Sequence, residues 1–182
     1  MTEPTSADLE LPGPLAEAFA VGFTWDYDDD TDTARGCDFE PYGAFETPER
    51  TAWWFRLWTG NPEADGAEFR FFGSTGAGDY AGFWLVRTGE PVAAQPVVML
   101  GSEGQIGVVT RNLGELLWLF AAGYGPAEAL WPEKGIVPVP DEAMRAIAER
   151  YAADPGLPPD RMVAAAQQEF PGLSELIDRL CR

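Results

Sequence analysis

Between Phe69 and Thr110 the chain offers short apolar segments separated by turns, with no interval that fits a crossover helix. Phe69-Arg70-Phe71-Phe72 runs into Gly73-Ser74-Thr75-Gly76-Ala77-Gly78-Asp79, and Tyr80 to Val86 follows. Thr88-Gly89-Glu90-Pro91 is a turn signal before Pro96-Val97-Val98-Met99-Leu100-Gly101, and Ser102-Glu103-Gly104 is another before Gln105 to Thr110. Parallel neighbours need a connection of a dozen or more residues, usually a helix, whereas hairpin neighbours need only a turn. The spacing therefore predicts an antiparallel meander. An aromatic run, Trp53-Trp54-Phe55-Arg56-Leu57-Trp58, ends at Thr59-Gly60-Asn61-Pro62. It is predicted as a further strand, with Trp53, Phe55 and Leu57 on one side and Trp54, Arg56 and Trp58 on the other.

The glycines of the segment Phe69–Arg87 fit a turn. Glycine supplies positive φ or room for close backbone approach. Asp79 is placed to accept backbone N–H bonds and hold the turn. Helices are expected before and after the strands along the chain. Pro14 opens a short one to Val21, stopped by Gly22. Asn112 caps the clearest one, with Leu113, Leu116, Leu117 and Phe120 at the spacing of one buried face. Three amphipathic stretches follow a Pro- and Gly-rich connector over 124–140: Asp141–Ala153, Asp160–Glu169 and Leu173–Leu180. The expected fold class is α+β, a mostly antiparallel sheet with helices packed on it and a C-terminal helical extension. The expected organisation is a loose leader over 1–14, the α+β domain over 15–140, and the helical extension over 141–182 packed on the same domain.

The charge narrows the partners. The net charge is −18, and residues 1–50 alone hold 13 acids against 2 arginines. Such a surface repels nucleic acid and anionic membranes. It suits a basic partner, although acidity also serves solubility alone. The densest stretch is Trp25-Asp26-Tyr27-Asp28-Asp29-Asp30-Thr31-Asp32, expected as an acidic loop. Asp26, Asp28, Asp29, Asp30 and Asp32 are the candidate partner-binding residues. Asp26, Asp28 and Asp30 match the first, third and fifth positions of a calcium loop. The match then fails, with Thr31 at the turn glycine and Cys37 at the bidentate glutamate.

The chain contains no histidine. That removes the commonest general base, the histidine triads and every histidine-containing metal site. Cys37 and Cys181 cannot form a zinc cage by themselves; a single long-range disulfide between them is the alternative to the free thiols that are expected. The glycine segment lacks the lysine of a phosphate loop and ends in an acid. It runs on into a strand, whereas a dinucleotide fingerprint opens a helix. No Gly-x-Ser-x-Gly elbow occurs. A pair of carboxylates acting as acid and base is left open by the 30 acidic residues. No enzyme, metal or cofactor is expected. The acidic, polar start from Met1 to Leu11 and the lack of a run of about 20 apolar residues give the expectation of a cytoplasmic protein.

The order of elements from Phe72-Gly73-Ser74-Thr75-Gly76-Ala77-Gly78-Asp79-Tyr80 to Leu85, through Pro96–Gly101 and Gly107-Val108-Val109 to the helix from Asn112, resembles the SUKH superfamily, the Smi/Knr-type immunity proteins. The likeness covers about residues 68–122, is looser over 15–58, and does not extend to 141–182. It implies that Gly73, Gly76, Gly78 and Asp79 form a structural turn of the family. It implies an α+β fold and a non-enzymatic role. Bacterial members are antidotes that bind and neutralise toxins, many of them nucleases, and others are adaptors. A basic toxin domain is the partner that this implies. The alternative is a ligand-binding or regulatory adaptor with a cleft lined by acids and aromatic residues.

Overall fold

The computed structural model describes residues 6–152 and 156–182. In chain order the elements are α1 (Gly13–Val21), β1 (Trp25–Asp28), β2 (Thr33–Gly36), β3 (Glu40–Pro41), α2 (Pro48–Thr59), β4 (Phe69–Ser74), β5 (Tyr80–Trp84), β6 (Val97–Leu100), β7 (Ile106–Thr110), α3 (Leu113–Ala121), α4 (Pro126–Leu130), β8 (Ile136–Val137), α5 (Glu142–Tyr151), α6 (Pro159–Glu169) and α7 (Leu173–Leu180). The fold is α+β. Strands β3-β4-β5-β6-β7 form an antiparallel meander in sequence order, and β1-β2-β8 form a smaller mixed sheet.

The large sheet is buried on both faces. Phe72, Ala81, Phe83, Val97, Met99 and Val109 face one apolar cluster, which α1, α3 and α5 complete with Leu15, Leu116, Phe120 and Ile147. Phe69, Phe71, Trp84, Val98, Leu100 and Val108 face a second cluster, completed by Phe55 of α2, Ala166 of α6, and Leu173 and Ile177 of α7. A strand covered on both sides has no polar face. This explains why β6 reads Val-Val-Met-Leu instead of alternating. The register shifts between Phe71 and Gly73. This bulge leaves Phe72 without a partner on β5, and Phe72 points to the first cluster while Phe71 serves the second.

The run 53–58 is helical, which corrects the predicted strand. Thr47 Oγ1 accepts from Arg50 N, Pro48 occupies the first turn, and Gly60 ends α2 in the left-handed conformation. These end signals, five and six residues before the aromatic run and two after it, outweigh its β propensity. The helix buries Phe55, which stacks on Phe69 at 5.4 Å between ring centroids. Trp54 and Trp58, one turn apart, stack on each other at 5.3 Å, and Trp58 Nε1 donates to Gly101 O. Trp53 and Leu57 point outward, 61% and 65% exposed.

The segment 1–14, expected as a loose leader, is held in place over its described part; Met1 to Thr5 lie outside the described residues. Ser6–Leu9 form a 3-10 turn, Leu9 O accepts from Phe45 N, and Leu9 and Leu11 pack on the first cluster. Asp26 and Asp28, expected in a loop, belong to β1, which pairs antiparallel with β2. The connector 124–140 carries α4 and β8. At the far end, Ala153 and Pro155, the expected close of the fifth helix, lie outside the described residues. Arg182 N donates to Thr59 O and Asn61 Nδ2 to Leu180 O, so the C-terminal helices are stitched to the end of α2. Cys37 is buried and Cys181 exposed, both as free thiols. Among the described residues no helix is long and apolar enough to cross a membrane.

The helical register of α2 makes a mutational prediction that a strand would not. Phe55→Ala should lower the unfolding free energy by about 3–5 kcal/mol. Trp53→Ala and Leu57→Ala should each stay within about 0.5 kcal/mol of the parent. Urea denaturation of the three variants checks this; equal losses at 53, 55 and 57 would restore the strand.

Candidate functional site

The smaller sheet begins with a four-residue strand whose side chains alternate. Trp25 and Tyr27 point to one side of β1 and Asp26 and Asp28 to the other, as strand geometry requires. Tyr27 stands opposite Ala34 of β2, and Ala34 opposite Ile136 of β8. These four residues share a face, and that face is one wall of a cleft of about 270 Å³. The second wall is the glycine turn between β4 and β5, through Thr75, Ala77 and Asp79. The third is α4 and the residues after it, with Glu128, Trp131, Glu133 and Lys134. Asp32 and Asp38 complete the lining. Two segments singled out in the sequence, the acidic stretch and the glycine turn, thus meet at one site.

The acidic candidates divide. Asp32 lines the cleft; Asp26, Asp28, Asp29 and Asp30 do not. Asp28 Oδ1 accepts from Asp30 N and so folds the tip of the hairpin. Its pKa is lowered by hydrogen bonds from the Thr31 side chain and the Asp30 amide. Asp32 is held at φ 52°, in the left-handed region. Its Oδ1 accepts from Tyr27 Oη at 2.7 Å, and this bond raises the tyrosine pKa. Trp25 and Tyr27 nevertheless remain 42% and 51% exposed, an unusual state for two large aromatic side chains on adjacent positions of one face.

The turn residues have separate tasks. Thr75 Oγ1 donates to Asp79 Oδ2, and Asp79 Oδ1 accepts from Ser102 N at 2.8 Å. Asp79 therefore ties this turn to the next one, beyond β6. Gly78 has φ 85°, the positive value expected of a turn glycine. Gly73 and Gly76 are needed for room: a Cβ on Gly73 would come 2.3 Å from the Phe39 ring, and one on Gly76 would press on the Asp38 carboxylate at 3.2 Å.

Asp38 and Glu128 join the three walls. Both Asp38 carboxylate oxygens lie 3.1 Å from Gly76 N, and Asp38 N donates to Glu128 Oε1 at 2.8 Å. Glu128 is only 7% exposed, and its Oε2 is buried without a hydrogen-bond partner. Burial raises the Glu128 pKa above the usual carboxylate range, and attraction from nearby backbone amides offsets part of this. Cys37, in contact with the same carboxyl group's surroundings, has its thiol pKa raised by burial and by the charges of Glu128 and Asp38. A thiol held neutral in this way is a poor nucleophile.

Sequence reasoning did not select Trp25, Tyr27, Asp38, Glu128, Trp131 or Glu133. The period-two alternation of Trp25-Asp26-Tyr27-Asp28 was a usable signal for the first two. Nothing local marks Asp38 or Glu128, which are 90 positions apart and meet only through the fold. Among the described residues no group of three or more acidic or cysteine side chains could hold a metal ion. No protein-family model matches the chain, and neither does any curated protein or solved structure.

Two predictions follow from this geometry. Gly78→Val forces a β-branched residue into positive φ and should cost about 1–3 kcal/mol. A Gly78→Val variant with parental stability, measured by urea denaturation, would remove the strain argument. For Glu128 the sign is set by the raised pKa. Its contribution to stability is full when it is protonated, below its unfolded value near ~4.3, and is lost as pH rises through the raised folded value. Glu128→Gln keeps a neutral group throughout. The variant should therefore melt above the parent at neutral pH, and the gap should close as pH falls towards ~4. A gap independent of pH would contradict the desolvation of this carboxyl.

Proposed function

We propose that this chain is a non-enzymatic protein-binding module of the immunity type, neutralising a basic, nuclease-type toxin domain by direct contact. The observation that carries the reading is the cleft: five acidic side chains, Asp32, Asp38, Asp79, Glu128 and Glu133, line it with one lysine, and two exposed aromatic side chains edge it. Aromatic anchors in an acidic setting are what a basic protein surface requires. The outward acids of the hairpin, Asp26, Asp28, Asp29 and Asp30, extend the negative field beyond the cleft. The net charge of −18 steers a basic partner during the encounter and imitates the polyanionic substrate of a nuclease. The resemblance of residues 68–122 to the SUKH superfamily supports the same role and a cytoplasmic setting. In this reading no cofactor or metal takes part, and neither nucleic acid nor membrane is a direct partner.

The second reading is an adaptor whose cleft takes a small cationic ligand, favoured by the same aromatic and acidic lining. The cleft volume of about 270 Å³ is close to the ~300–1,000 Å³ usual for small-molecule sites.

Co-expression of the chain with the products of adjacent genes tests the proposal. One of them should co-purify with it and lose its toxicity. Association should slow about tenfold or more between about 0.05 M and about 0.5 M salt, as the field is screened. Failure of every neighbouring product to bind would overturn the immunity role at this locus. A stabilising shift in a thermal screen with small cations alone would favour the adaptor.

A further inference from the structure

The cleft has features that the general acidity of the surface does not explain. An acidic surface needs no exposed tryptophan. Here Trp25 and Tyr27 lie side by side on one strand face, and Trp131 stands at the end of α4, all lining the same space as the carboxylates of Asp32 and Glu133. Aromatic faces attract cations through the ring quadrupole, most strongly where water is partly excluded. The wall also contains Glu128, nine-tenths buried, whose Oε2 has no donor. The acids do not form a group that could hold a metal ion. The chemistry is thus suited to an organic cation.

We propose, resting on the protein-binding reading above, that the cleft is the receptor for an arginine side chain of the partner, whose guanidinium lies against the Trp25 and Tyr27 rings and donates to the acids of the lining. Arginine fits better than lysine for three reasons. Its planar fork meets several carboxylates at once, it stacks on flat aromatic faces, and it sheds water more easily. The Tyr27–Asp32 bond fixes one aromatic wall before the ligand arrives. Asp38 fixes the opposite wall by holding Gly76 N and bonding through its own N–H to Glu128. Little ordering is then required on binding. Asp79 takes no direct part, because both its oxygens are engaged within the fold. Lys134, exposed at the rim, is the like charge that a guanidinium must approach.

The test uses the full chain and the probes acetyl-arginine, acetyl-lysine and acetyl-citrulline methylamides, followed by the indole N–H resonance of Trp25. Loss of one peak in Trp25→Phe assigns that resonance. The arginine probe should shift it saturably, the lysine probe should bind about threefold to fivefold more weakly, and the uncharged citrulline probe should leave it unmoved. Tyr27→Ala and Glu133→Gln, both at exposed positions, should each weaken the arginine probe about threefold to fivefold, while Lys134→Gln should strengthen it. Circular dichroism of each variant checks folding. Equal response to arginine and citrulline, equal response to arginine and lysine, or saturable shifts that spare Trp25 would each overturn the assignment. The two proposals fail separately. A partner that binds the Tyr27→Ala and Glu133→Gln variants as tightly as the parent leaves the protein-binding role intact and removes the arginine receptor. A saturable arginine response with no neighbouring protein bound retains the receptor and removes the immunity role.

Discussion

The constraint on which the rest of the structure depends is that the central sheet is covered on both faces. Its strands are short, four to six residues apart from β3, and each must supply apolar side chains in two directions. Strand alternation does this on β4, sending Phe69 and Phe71 to one cluster and Phe72 to the other. Two covered faces need two sets of helices. The C-terminal helices α6 and α7 are therefore structural partners of the sheet, filling the second cluster beside Phe55. Hydrophobic burial is the main favourable contribution to folding, so a sheet of this kind exposes little of its own for recognition. The cleft lies at the rim, where the small sheet, the glycine turn and α4 meet.

Much of this fold was legible because the sheet is a meander. Local turns join adjacent strands, and turn chemistry is written in short sequence windows. Thr88-Gly89-Glu90-Pro91 and Ser102-Glu103-Gly104 bound β6 correctly, and Asn112 caps α3 through Glu115 N as its position predicts. The run 53–58 misled because six consecutive residues that include four aromatic ones read equally as a buried strand or a buried helix turn. The deciding residues, Thr47, Pro48 and Gly60, lie outside the run. The parallel pairing of β2 with β8 was not legible at all, since 34–35 and 136–137 pair across about a hundred residues.

The site shows the same division. The acids of 26–32 were visible as charge, but charge density does not tell which carboxylates share a space. Strand alternation sends Asp26 and Asp28 away from the cleft and turns Trp25 and Tyr27 into it, so the aromatic residues of the acidic stretch are the ones that line the site. Asp38 and Glu128 carry no local signature, yet the Asp38 hydrogen bonds to Gly76 and Glu128 set the distance between the walls. The glycine turn, read from sequence as a purely structural device, contributes Thr75, Ala77 and Asp79 to the wall while keeping its structural hydrogen bonds.

Three physical roles recur among the acids of the hairpin and the cleft. Asp28, Asp38 and Asp79 satisfy backbone amides and shape turns. Exposed acids such as Asp26, Asp29 and Asp30 shape the long-range field, whose reach is set by ionic strength. Glu128 is buried with one oxygen unpartnered, which raises its pKa and opposes stability at neutral pH. A selection acting on stability alone would replace such a group with a neutral residue of the same shape. Its position in the wall of a cleft edged by exposed aromatic rings gives it a different logic. A carboxylate desolvated in advance has already lost the hydration that a cation would otherwise have to strip from it. If the cleft receives a cation as proposed, the charge desolvated at Glu128 strengthens the attraction to it, and the same residue then couples the stability of the fold to that binding.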